Sequence, residues 1–138
     1  MPQPAARGAA SKSSSSPTVL VVEDDRSARR AIVRILQRQG FILAEAATVK
    51  EAMSRLADRP RPRWILLDLM LPDGWGTEVL RKVSEESLAI QVCVITGCAA
   101  PDIGQLLEMG AREVLMKPVD VDRLLSLLRE PSVEYVSE

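Results

Sequence analysis

Five short runs of mostly β-branched and aliphatic residues, Val19 to Val22, Phe41 to Ala44, Trp64 to Leu67, Val92 to Ile95 and Val114 to Met116, alternate with helical patterns. That alternation restricts the possible folds more than any other feature of the chain. After the first run, Ala28, Ala31, Ile32, Ile35 and Leu36 recur at i, i+3, i+4, i+7 and i+8, which predicts one apolar face of a helix ending before Gly40. Thr48 is placed to cap a second helix in which Val49, Ala52, Met53, Leu56 and Ala57 repeat the spacing, and Pro60 and Pro62 stop it. Val79, Leu80 and Val83 mark a third helix. Pro101 suits a first turn leading to Leu106 and Leu107, and Leu124, Leu125, Leu127 and Leu128 mark the last helix.

Strands that read as continuous apolar runs, each followed by a helix, predict a parallel sheet covered on both faces with right-handed crossovers. Five units are too few for an eight-stranded barrel. The expected fold class is therefore α/β, a (βα)5 doubly wound five-stranded parallel sheet. In such a sheet ligands bind outside the carboxyl ends of the strands, where the strand order reverses.

The length of 138 residues suits one domain. Residues 1–17 contain five Ser, four Ala, three Pro and no acid. That composition predicts a disordered tail, because it buries too little apolar surface to offset the entropy of ordering. The folded part is expected over 18–130, with a short tail over 131–138. A formal net charge of −1 gives no electrostatic ground for direct nucleic-acid binding. No apolar run approaches the roughly 20 residues that span a bilayer, and no apolar block near the N-terminus supports a secretory signal. A cytoplasmic protein is the expectation.

The chain has no His, which removes His-based acid/base and triad chemistry and the usual zinc ligand sets. Cys93 and Cys98, if joined by extended chain, lie about 16 Å apart, too far for a disulfide. Any site must be built mainly from carboxylates, Lys and hydroxyls, and these stand at the strand ends: Glu23, Asp24 and Asp25 after the first run, Asp68 after the third, Thr96 after the fourth, Lys117 and Pro118 after the fifth. Acids converging on one point repel each other unless a cation is present. Oxygen-only ligands favour a hard ion, and Mg²⁺, which accepts one or two carboxylates and keeps several waters, fits best.

The segments VLVVEDDRSARR, ILLDLMLPDGWG, VITG and LMKP, in this order and spanning about residues 18 to 129, resemble the receiver domain of two-component response regulators. The resemblance implies a flavodoxin-like receiver fold. It also implies that Asp68 accepts a phosphoryl group from the phosphohistidine of a sensor histidine kinase or a phosphotransfer protein. Glu23, Asp24 and Asp68, with the main-chain carbonyl of Met70, would bind Mg²⁺. Thr96 would report phosphorylation, and Lys117, followed by a cis bond to Pro118, would supply the ammonium. The residue types suit that chemistry, since phosphoryl transfer is mostly positioning and charge neutralisation around an oriented carboxylate. With no His of its own, the chain needs an external donor.

The implied protein catalyses its own phosphorylation and changes its affinity for a downstream target protein as a monomer or weak dimer. The nine residues after Arg129 are too few for an output domain, so a stand-alone regulator is expected. Asp25 is expected to cap a helix, Asp73 to serve a turn, Trp75 to anchor a loop and Gly76 to meet a backbone requirement. Two departures stand out. Val114 occupies the position where the family usually carries Tyr or Phe, and the stretch from Thr96 to Lys117 is one residue shorter than is common. A phosphorylation-independent binding module of the same fold is the alternative. A hydrolase using an aspartate nucleophile would need a second Asp where Met70 stands, and a flavodoxin-like cofactor carrier would not place acids in its first loop.

Overall fold

The structure, a computed structural model, describes residues 18–97 and 102–130. The expected tails over 1–17 and 131–138, Pro101 as a helix start and Cys98 lie outside the described residues. In chain order the elements are β1 (Thr18–Val22), α1 (Arg26–Arg38), β2 (Ile42–Ala46), α2 (Val49–Ala57), β3 (Trp64–Leu67), β4 (Met70–Leu71), β5 (Gly74–Trp75), α3 (Thr77–Glu85), β6 (Gln91–Thr96), α4 (Ile103–Glu108), β7 (Glu113–Met116) and α5 (Val121–Leu128). The main sheet is parallel in the order β2-β1-β3-β6-β7, and β4 and β5 form a small antiparallel hairpin. This is the expected doubly wound α/β architecture.

Side chains alternate across the sheet with period two. Leu20, Val22, Ile65, Leu67, Val92 and Val94 pack on one face against α2, α3 and Leu106 of α4. Val19, Val21, Trp64, Leu66, Cys93 and Ile95 pack on the other, against Val33 and Leu36 of α1 and Leu124, Leu127 and Leu128 of α5. Both faces of the central strands are covered, which is why those strands read as unbroken apolar runs. Each fully buried Val or Leu contributes roughly 1.5–3 kcal/mol to folding.

Thr48 caps α2 as expected, accepting a hydrogen bond from the Glu51 N–H at 3.0 Å. The apolar face of α1 is rotated from the expected one: Val33 is buried while Ala31 is exposed, so the core takes Val33 and Leu36. Phe41 is buried ahead of β2 rather than within it, and β2 runs on to Ala46. On α4 only Leu106 of the expected leucine pair is buried; Leu107 is exposed. Among the described residues no helix is long and apolar enough to cross a membrane.

Candidate functional site

The sheet order reverses between β1 and β3, so the chain leaves these neighbouring strands toward opposite faces and opens a crevice at their carboxyl ends. The ladder continues one step past each strand. The Glu23 N–H donates to Ala46 O and the Asp68 N–H to Val22 O, both at 3.0 Å, which seats the two acids side by side at the crevice floor. Glu23, Asp68 and Thr96 are buried, at 4%, 8% and 1% exposure, whereas Asp24 is exposed. Thr96 is the last residue of β6. Buried polar groups of this kind are costly without partners.

Lys117 supplies one. Its N–H donates to Thr96 O at 2.9 Å, extending the ladder between β6 and β7, and its Nζ donates to Glu23 Oε1 at 2.6 Å and Asp68 Oδ2 at 3.2 Å. Partial burial works against the ammonium, but the hydrogen bonds to Glu23 and Asp68 and their charges outweigh it and raise its pKa above the ordinary lysine value. The bond from Lys117 to Pro118 is cis, as the resemblance implies.

The second oxygen of Glu23 accepts the Asp25 N–H at 3.0 Å, so both oxygens of this carboxylate are engaged. Asp68 Oδ1 accepts the Met70 N–H at 3.1 Å. Glu23, Asp24 and Asp68 each offer a carboxylate oxygen, and these atoms lie within 4.8 Å of one another. A donor set made only of oxygens, gathered this closely and already drawing in an ammonium, suits a hard divalent cation.

Asp25 caps α1 as expected, its Oδ2 accepting the Ala28 N–H at 2.9 Å. The hairpin after Asp68 has no counterpart among the expected elements. It pairs Met70 with Trp75 and leaves both exposed, at 58% and 60%, so Trp75 is not the expected loop anchor. The backbone requirement at Gly76 is severe: a Cβ there would sit 2.2 Å from the Asp68 carbonyl oxygen. Asp73 does more than turn the chain. Its carboxylate accepts the Val49 and Lys50 N–H groups at 2.7 and 3.0 Å, tying the hairpin to the N-terminus of α2. These backbone hydrogen bonds, first from Lys50 and then from Val49, hold its carboxyl below the usual range.

Arg29 and Glu45 were not legible as site residues, because an Arg on an amphipathic helix and a Glu on an edge strand read as solvated surface. Arg29 Nη1 donates to the Glu23 main-chain oxygen at 2.9 Å, and its Nε to Glu45 Oε1 at 2.8 Å. Val114 lies on β7 opposite Val94 and packs, partly buried, against the core face that carries α2 and α3.

A five-stranded α/β sheet with acids, a threonine and a lysine converging at its switch point defines a class, and comparison with known proteins places the chain in it. The response regulator receiver domain family matches residues 19–129, and the chain belongs to that family. It is similar to two-component response regulator ORR11 of Oryza sativa subsp. indica, 35% identical over 116 residues that cover 80% of this chain and 79% of that protein. It is also similar to acid tolerance regulatory protein ActR of Rhizobium meliloti (strain 1021), 30% identical over 120 residues. That match covers 86% of this chain but 61% of ActR, so the chain spans about three fifths of that relative's length. Among solved structures, a response regulator receiver domain protein (CheY-like) from Methanospirillum hungatei JF-1 superposes with a TM-score of 0.76 at 29% identity, covering 83% of this chain and 91% of that one.

Proposed function

We propose that this receiver domain is a phosphoacceptor switch in which Asp68 takes a phosphoryl group from the phosphohistidine of a sensor histidine kinase or phosphotransfer protein. The N–P bond of the donor breaks as a bond forms between an Asp68 carboxylate oxygen and phosphorus. The observation that carries this reading is the seating of Asp68 beside Glu23, with the Lys117 ammonium against both. Glu23, Asp24, Asp68 and the Met70 carbonyl would hold Mg²⁺, which when bound supplies positive charge to the phosphoryl oxygens. The Lys117 ammonium would add positive charge beside Asp68, and the Thr96 hydroxyl would donate to a phosphoryl oxygen once transfer is complete. Phosphorylation then shifts the domain between conformers with different affinity for a downstream target protein. The domain occupies residues 18–130, and a cytoplasmic location and a monomer or weak dimer accompany the reading.

The test is intact-protein mass after incubation with a small phosphodonor, with and without Mg²⁺, on the wild type and on Asp68→Asn. The expected result is a Mg²⁺-dependent gain of one phosphoryl group that the variant lacks. The absence of any gain in a protein that binds Mg²⁺ would favour the phosphorylation-independent module, for which Val114, a residue with no ring to reorient, is the supporting observation.

A further inference from the structure

Glu23 is gripped from the side of strand β2 through both of its main-chain polar groups, and its carbonyl belongs to the peptide unit that leads to Asp24. The Glu23 N–H bonds Ala46 O directly. The Glu23 carbonyl is reached through Arg29, whose guanidinium spans from that oxygen to the Glu45 carboxylate with two separate N–H donors. Because the peptide bond is planar, fixing the Glu23 oxygen fixes the plane from which Asp24 departs. The grip is well built: the Arg29 side chain is 15% exposed, and Glu45 is held in turn by Arg30 Nη1 on its other oxygen, while its main-chain oxygen accepts Arg55 Nε at 3.1 Å. The hydrogen bond from Arg29 and the charges of Arg30 and Arg29 overcome the effect of burial and keep the Glu45 carboxyl below its ordinary pKa, so it stays an anion for Arg29 to hold.

We infer that Arg29, braced by Glu45, is a positioning residue for the acidic cluster, setting the peptide between Glu23 and Asp24 so that their carboxylates and that of Asp68 converge on one cation. The Arg29 guanidinium bonds the Glu23 main-chain oxygen and the Glu45 carboxylate rather than the clustered carboxylates of Glu23, Asp24 and Asp68. Arg29 acts through a main-chain oxygen, and its planar guanidinium gives that oxygen and the Glu45 carboxylate a separate N–H donor each. The inference rests on the proposed function, which supplies the cation.

The test is Mg²⁺ affinity by titration calorimetry, at a temperature where separate thermal melts show every protein folded, for the wild type, Arg29→Gln, Arg29→Lys and Arg30→Gln. Groups that orient metal ligands cost roughly 10- to 100-fold in affinity when removed, and Arg29→Gln is expected to lose about tenfold. Arg29→Lys, which keeps the charge but has a single donor group, falls between it and the wild type and carries the test if Arg29→Gln does not fold. Arg30→Gln removes the other arm on Glu45 while leaving the Glu23 oxygen bonded, and is expected to stay within about twofold of the wild type, since it leaves the metal ligands oriented. Unchanged affinity in both Arg29 variants, or an equal loss in Arg30→Gln, overturns the positioning role. A wild type that takes up no Mg²⁺ overturns the proposed function as well.

Discussion

The Lys117 ammonium lies 2.6 Å from Glu23 Oε1 although the two residues are 94 positions apart in the chain. Glu23 is almost fully buried and the lysine side chain is one-third exposed, so the pair closes a buried anion with a cation that still reaches solvent. Lys117 thereby relieves the repulsion between Glu23 and Asp68 within the protein itself.

Lys117→Met is accordingly expected to destabilise the domain by about 1–3 kcal/mol in urea unfolding, since it leaves buried carboxylate oxygens without their donor. Added Mg²⁺ should return part of that loss. Equal losses with and without Mg²⁺ would show that the acids do not share the cation.

The same pair sets an alkaline limit. The folded pKa of Lys117 is raised above its unfolded value, so its stabilising contribution is complete below the unfolded pKa and is lost as pH rises through the folded one. Melting temperatures measured upward from the ordinary lysine pKa should fall more steeply for the wild type than for Lys117→Met.

Gly76→Ala would place a methyl group 2.2 Å from the Asp68 carbonyl oxygen, a contact that backbone must move to relieve. The expected cost is at the upper end of the roughly 1–3 kcal/mol typical of overpacking, or beyond it. Chemical denaturation measures it. A variant as stable as the wild type would mean that the hairpin following Asp68 yields freely.

Asp73→Ala removes the carboxylate that joins the hairpin to α2 and should lower the melting temperature at neutral pH. The folded pKa is depressed, so the contribution is present above the unfolded value and disappears as pH falls through the folded one. The difference between wild type and variant should therefore shrink in acid. A difference that persists at pH values below the usual aspartate range would assign it to something other than the charge.

Cys93 is buried on β6, and burial, followed by the nearby charge of Glu113, pushes its thiol up to about 12. Only the thiolate is reactive, so Cys93 should resist iodoacetamide in the folded protein at mildly alkaline pH and react once the domain is unfolded. Site-resolved mass spectrometry after timed alkylation follows it. Rapid labelling in the folded state would show that β6 opens.

Much of this molecule is written in local order. Strand periodicity and helical spacing depend only on neighbours along the chain, so the (βα)5 order was readable, as were Thr48 and Asp25 as caps. The residues at the strand ends followed from the same reading, because a parallel doubly wound sheet brings every strand's carboxyl end to one edge. The strand order alone therefore groups Asp68, Thr96, Lys117 and the acids after β1, and the structure places Glu23, Asp68 and Lys117 in mutual contact there.

Tertiary packing decided the rest. An apolar spacing that includes Ala31, Ile32, Ile35 and Leu36 does not set the rotation of α1 about its axis; the sheet chose Val33 and Leu36 and left Ala31 outside. Asp73 meets the N-terminus of α2 across 24 residues, and Arg29 reaches both Glu45 and the Glu23 carbonyl, contacts that no local pattern encodes. Trp75 is exposed because a two-residue hairpin carries it away from the core. The elements and their chemistry come from short-range preferences of the chain, whereas the atoms that hold the acids in place are chosen by long-range contacts, which exist only once both faces of the sheet are covered.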